Sequence, residues 1–165
     1  MRPMRRFRQE LSPQECCRVL ERQTNGVLAV LGDGGYPYAV PLSYVYEDGK
    51  IYFHCAKEGH KLDAIRKDNK VSFCVVDQDE IVPEEYTTYF RSVIAFGTAR
   101  ILEDEKEKRG ALEALAAKYS PEQVEGRQKE IQSQFANVTM VEISVEHMTG
   151  KEAVELVRKK NSSLV

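Results

Sequence analysis

Ten consecutive residues hold the side chains best suited to chemistry: Tyr52-Phe53-His54-Cys55-Ala56-Lys57-Glu58-Gly59-His60-Lys61. The first four alternate as a strand. The last residues before Leu62 open a helix, so the stretch sets two histidines and two lysines around a helix N-terminus. Backbone N–H groups point outward there and favour an anion. Lys61 adds a point charge in the first turn, with His60 beside it and Lys57 in the loop. An ordinary solvated basic turn has the same spacing.

His54 ends the strand and faces away from Phe53. A neutral imidazole with a pKa of roughly 6.5 can donate a hydrogen bond or pass a proton, and a structural histidine looks the same in sequence. Asp48-Gly49 is a strong two-residue hairpin turn. Counting outward from it, Glu47 opposes Lys50, Tyr46 opposes Ile51, Val45 opposes Tyr52, Tyr44 opposes Phe53 and Ser43 opposes His54. That register predicts a polar cross-strand pair, Ser43 with His54. Cys55 follows His54 directly, so the two point to opposite faces and do not form a nucleophile–base pair. Cys16, Cys17, Cys55 and Cys74 include no Cys-x-x-Cys and read as small reduced core residues. No two of His54, His60 and His147 have metal-site spacing on a helix, so no metal is expected. His147, near the end of the last strand, reads as a surface or capping residue.

The elements that hold these residues follow from pattern. Residues 1–10 form a basic arm with Arg2, Arg5, Arg6 and Arg8, suited to packing on a partner subunit. Ser12-Pro13-Gln14-Glu15 is a capping box that starts a helix with Cys16, Val19 and Leu20 on one face. Residues 27–31 make a short apolar strand, and Gly32-Asp33-Gly34-Gly35 reads as a hairpin turn. Without a following Gly-Lys-Ser/Thr it is not a phosphate loop. Residues 36–46 read as one long strand whose Pro37 and Pro41 place it at an edge or a bulge. Ile51, Phe53 and Cys55 face inward. Leu62 and Ile65 give a short helix over about residues 59–67 its inward stripe. Residues 71–76 form a strand, and the acidic stretch 77–90 reads as an irregular functional or interface loop. Residues 93–101 form a strand in which Gly97 marks a bulge or a close approach. Helices follow over 104–119 and from Ser120-Pro121-Glu122-Gln123. The last strand carries Thr139, Val141, Ile143 and Val145. Thr149-Gly150-Lys151-Glu152 reads as the start of a final helix, with a frayed tail over 159–165. The single domain spans residues 11–158.

Totals exclude several classes. The chain has 165 residues, 42% hydrophobic and 30% charged, with a formal charge of −2. That is the profile of one soluble domain. It argues against a nucleic-acid module. No apolar run approaches the roughly 20 residues of a membrane span, and no signal peptide is written at the N-terminus, so a cytoplasmic protein is expected. The strand spacing predicts a mainly β, α+β fold: a small antiparallel barrel with flanking helices.

Three motifs then resemble one family. Tyr36-Pro37-Tyr38-Ala39-Val40-Pro41-Leu42-Ser43-Tyr44, the stretch from Tyr52 to Lys61, and Val71-Ser72-Phe73-Cys74-Val75 are similar to the Nim-type nitroimidazole-resistance proteins of the pyridoxamine 5′-phosphate oxidase-like superfamily. Residues 83–93 and Gly150-Lys151-Glu152-Ala153 share the likeness. The resemblance implies a six-stranded-type split β-barrel that forms a homodimer with FMN at the subunit interface. It implies that Tyr38, Ala39, Val40, Pro41, Leu42 and Ser43 line the flavin ring, largely through backbone groups. His54, Cys55 and Ala56 would approach the ring and ribityl chain, and His60 and Lys61 would hold the phosphate. Ser92 would reach the flavin of the other subunit. His60 and Tyr38 stand where that family often has arginine, so the phosphate charge rests on Lys61. The implied activity is reduction of an aromatic nitro group with His54 as the catalytic residue, and NAD(P)H would bind transiently. Alternatives are a non-catalytic protein for a flavin, haem or small ligand, a flavin reductase, or a B6-type oxidase. The chain's lack of Trp and its Lys/Glu-rich last helix argue against B6 oxidation.

Overall fold

The computed structural model describes residues 2–162. Ser12 opens α1 (Pro13–Arg22) with the expected capping box, its side chain accepting from Glu15 N–H while Glu15 reaches back to Ser12 N–H. Strands β1 (Asn25–Leu31) and β2 (Pro37–Ser43) form a hairpin. β3 (Val45–Glu47) and β4 (Lys50–Cys55) form a second, turning at Asp48 and Gly49 with φ of 47° and 78°. Then come α2 (His60–Lys67), β5 (Lys70–Val82), β6 (Thr87–Ile101), α3 (Glu105–Tyr119), α4 (Val124–Gln134), β7 (Thr139–Glu152) and α5 (Val154–Ser162).

The strands make one antiparallel sheet in the order β2-β1-β5-β6-β7-β4-β3. By hydrogen bonding the sheet is open. Its two edge strands, β2 and β3, are nevertheless consecutive in the chain and separated by Tyr44 alone. This is the split-barrel arrangement, mainly β with flanking helices. Residues 36–46 are thus two strands rather than one, which gives seven strands. The expected pairs from Glu47–Lys50 to Val45–Tyr52 are present, but the ladder stops there, so Ser43 and His54 are not cross-strand partners. β2 turns to β1 instead, and Ser43 pairs with Asn25.

The inner face follows the alternation. Leu28, Val30, Ile51, Phe53, Phe73, Val75, Val93 and Ile143 fill the interior together with Cys16, Val19 and Leu20 of α1 and Leu62 and Ile65 of α2. Each buried aliphatic or aromatic side chain contributes about 1.5–3 kcal/mol. α1 and α2 thus act as the two plugs of the sheet's concave side. A smaller cluster of Leu102, Ala111 and Met140, with Tyr52 against it, seats α3 on the outside of β4 and β7.

Three other expectations change. The stretch 77–90 is no loop: β5 runs to Val82 and β6 starts at Thr87, joined by one 3-10 turn at Pro83–Glu85. β7 runs through Gly150 to Glu152, and only then does α5 begin; it continues to Ser162, past the expected fraying point at Lys159. Residues 163–165 lie outside the described residues. Ser120 does not cap α4. It already closes α3, its N–H bonded to Ala116 O, and the next helix starts after Gln123 without a side-chain cap. The basic arm is tied down from Gln9 onward: Gln9 is buried, Glu10 bridges to Lys151, and Leu11 N–H donates to Gly150 O at 2.9 Å.

Ion pairs lace the far ends of the chain together. Asp77, whose side chain is 3% exposed, accepts from Arg22 Nε at 2.6 Å and from Arg91 at 3.0 Å. Arg91 also donates to Glu152 at 3.0 Å, Glu152 meets Lys160 at 2.6 Å, and Lys160 meets Glu15 at 2.5 Å. One chain of charges therefore joins α1, β5, β6, β7 and α5.

Candidate functional site

β2 brings the first set of residues. It is an edge strand, and Pro37 and Pro41, which have no N–H, are tolerated there. Tyr38, Val40 and Leu42 turn inward and pack on the core, while Ala39, Pro41 and Ser43 face out and are exposed. The result is a small-side-chain stripe along a strand with one unpaired edge. A flat ligand can approach such backbone closely.

α2 brings the second set. Its N-cap, Gly59, has a φ of 140° and supplies no side-chain cap. The N–H groups of His60 and Lys61, first in the helix, therefore have no intrahelical partner. Lys61 is half-buried and makes no ion pair or hydrogen bond among the described residues. Its neighbour Arg66 is engaged with Asp63 at 3.0 Å. His60 is placed differently from Lys61. Its ring stacks on Tyr38 with centroids 4.1 Å apart, and its Nε2 accepts from Asp33 N–H at 3.4 Å. Asp33 Oδ2 also lies 3.7 Å from the same Nε2, so His60 braces the β1–β2 turn against α2. The stacking fixes the start of β2 beside the α2 N-terminus.

β4 supplies the third set. His54 is exposed and pairs with Met140 of β7. Cys55 turns inward onto the core; burial pushes its thiol up against the opposing charges of Lys61 and Arg66. It lies close to the Lys61 charge. Ala56 is exposed in the loop that follows.

Ser43 and His54 meet across a cleft of about 460 Å³ rather than across a ladder. The remaining wall comes from α3, α4 and the residue before β7: Leu112, Leu115, Ala116, Tyr119, Glu130, Ile131, Gln134 and Val138. Tyr119 fixes this wall to the barrel. Its Oη accepts from Tyr44 N–H at 3.1 Å and offers its proton to the carbonyls of Tyr44 and Thr24. Tyr44 is fully buried; its hydroxyl donates to Leu20 O at 2.9 Å, and its ring packs edge-on against Phe73. The α3–α4 wall was missed in the sequence because α4 buries Ile131 alone, a pattern too sparse to announce a face.

Ser92 stands apart. It lies on β6, paired with Val76 and Lys151, with β5 and β1 between it and β2. Around it the outer face of the sheet carries apolar residues on β2, β1, β5 and β6 and polar ones, Thr149 and Lys151, on β7. The register aligns Pro41, Val27, Cys74 and Ile94 in one row across four strands, and Ala39, Ala29, Ser72 and Phe96 in the next. Val76 and Ile94 are 58% and 39% exposed. Among the described residues no group of three or more His, Cys, Asp or Glu is placed to hold a metal, and no helix is long and apolar enough to cross a membrane.

Comparison with known proteins agrees with this architecture. The family model for pyridoxamine 5′-phosphate oxidase matches residues 12–152. The chain belongs to that family. Among solved structures, a proposed 5-nitroimidazole antibiotic resistance protein from Bacteroides thetaiotaomicron is 23% identical, with a TM-score of 0.71 over 87% of this chain and 86% of that one. An FAD-binding protein from Mesorhizobium loti is 26% identical, with a TM-score of 0.66 over 88% and 97%. An FAD- and haem-binding protein from Mycobacterium smegmatis is 20% identical, with a TM-score of 0.72 over 88% and 73%. No curated protein matches the chain.

Proposed function

We propose that this protein is an FMN-dependent oxidoreductase of the nitroreductase type, working as a homodimer on small aromatic compounds such as nitroimidazoles. The observation that carries this reading is the unpaired edge of β2, with its outward small residues, beside the uncapped start of α2 and the partnerless Lys61. The donor set fits a flavin mononucleotide. Ala39, Pro41 and Ser43 leave room for a planar ring against backbone. Lys61 and the first N–H groups of α2 suit a phosphate. FMN would supply the electrons. His54 Nδ1 or Nε2 would hand a proton to a nitro oxygen of a substrate lying in the cleft, and the apolar wall from α3 would exclude water from it. The membership of the family and the flavin-binding relatives support the cofactor class.

The apolar rows on the outer sheet face support the dimer. A second copy seated there would cover Ile94 and Val76 and would bring its own Ser92 toward the β2 edge of the first. NAD(P)H would enter the same cleft transiently, and the protein would act in the cytoplasm.

The test is direct. Purified protein should absorb at flavin wavelengths and release FMN on denaturation. With a reduced nicotinamide under anaerobic conditions it should consume a nitroimidazole, and His54→Ala should lower turnover more than flavin affinity. Colourless protein that takes up no added flavin overturns the reading. Flavin binding without turnover would make the chain a carrier instead.

A further inference from the structure

The cleft beneath α3 and α4 carries one acidic residue on its lining that the flavin site does not need. Its floor is Ser43 and His54, and its walls are largely aliphatic, from Leu112, Leu115 and Ile131. Neither Lys nor Arg lines it. The nearest base along α3, Lys118, points away and donates to the carbonyls of Leu20 and Gln23. The Tyr119 hydroxyl is committed to the Tyr44 and Thr24 carbonyls. What remains for a ligand is the Glu130 carboxylate, which only accepts, beside the Gln134 amide, the Ser43 hydroxyl and the His54 ring, which both donate and accept. Glu130 is the sole permanent charge on the lining at neutral pH. A volume of about 460 Å³ suits one small planar molecule.

We propose that this cleft is a substrate subsite for a small aromatic amine or imidazolium ring, with Glu130 as its counter-charge and Leu112 and Leu115 as the apolar bed. The inference deepens the oxidoreductase reading by naming the substrate's charge class. An aromatic carboxylate of the same shape meets Glu130 and finds no cation, so the cleft disfavours it. α4 positions Glu130 and is held lightly: one buried side chain, Ile131, and the Lys108 ammonium, which donates to Phe135 O at 2.6 Å and lies 4.5 Å from the Phe135 ring centroid.

Calorimetric titration with 4-nitrobenzylamine and 4-nitrobenzoate, matched in shape and opposite in charge, tests this at low ionic strength. The amine is expected to bind about fivefold or more tightly, a ratio in keeping with one partly solvated ion pair. Glu130→Gln, on an exposed helix position, is expected to bring the two affinities together, and Ala116→Trp to fill the cleft and weaken both. Equal affinities in the unmodified protein, or a preference that survives Glu130→Gln, overturn the proposal. Flavin content is read separately by absorbance on the same samples. An amine preference in protein that takes up no flavin keeps this subsite and removes the flavin reading. Flavin-loaded protein without the preference does the reverse.

Discussion

Lys61 and His60 are adjacent, both basic by type, and differently employed. Lys61 keeps its charge unspent beside the open N–H groups of α2, whereas His60 is stacked on Tyr38 and bonded to the Asp33 amide. Residue type and spacing announced a basic helix start but could not divide the labour, because the division depends on the β1–β2 turn reaching His60 from 27 residues away in the chain. The consequence is measurable. Lys61→Ala is expected to weaken flavin binding by about 1.5–3 kcal/mol, the range of one charge-assisted hydrogen bond, with Lys61→Arg retaining most of the affinity. A dissociation constant unchanged by Lys61→Ala would place the phosphate elsewhere. Ser43 and His54 are less legible. The hairpin count pairs them across a ladder, and that pairing is absent: Ser43 is in register with Asn25 of β1 and His54 with Met140 of β7, and the two share only the lining of the cleft under α3.

At the scale of elements, local signals were legible and non-local ones were not. The Ser12 capping box, the Asp48-Gly49 turn and the Gly97 bulge each depend on a few neighbouring residues and stand where their letters put them. The Ser120-Pro121 motif uses the same letters as Ser12-Pro13 and fails, since its serine is already spent closing α3. The β5–β6 extension was invisible because Gln78 to Ile81 are exposed or half-exposed, so no apolar alternation marks the face. β7 outran its reading for a related reason: Gly150 and Lys151 look like a helix start until β6 pairs with them. Gly97 offers a sharp test. A Cβ there would lie 2.1 Å from the Ser144 carbonyl oxygen, while at Gly110 of α3 nothing lies within 4 Å. Gly97→Ala should therefore cost about 1–3 kcal/mol. Gly110→Ala should stabilise by about 0.5–1 kcal/mol. Urea midpoints that move the same way for both would contradict the close approach.

The whole molecule is bound by the charges that run from Arg22 through Asp77, Arg91, Glu152 and Lys160 to Glu15. Burial alone would raise the Asp77 carboxyl, but hydrogen bonds from Arg22, Gln23 and Arg91 outweigh it and hold the group at about 2, below its ordinary 3.8. A depressed carboxyl stabilises the fold above its unfolded value and loses that contribution as pH falls toward the folded one. The stabilisation, about 2 kcal/mol, should be present at pH 5 and vanish between roughly pH 4 and 2. Asp77→Asn should therefore be less stable than the unmodified protein at pH 7, with the difference in urea midpoint shrinking through that window; a difference that stays constant down to pH 2 would contradict it. The seam at Tyr44 has a different consequence, for the order of assembly. Its two flanking hairpins, β1–β2 and β3–β4, are local and can form early, and they are leashed by a single residue. The three-strand path that separates them in the sheet is β5, β6 and β7, whose residues come later in the chain. When that path completes, the ends it has to bring together are already joined. Bringing the two edges together then adds almost no loop entropy, and the long-range closure left for the chain to make is the docking of β7 between β6 and β4.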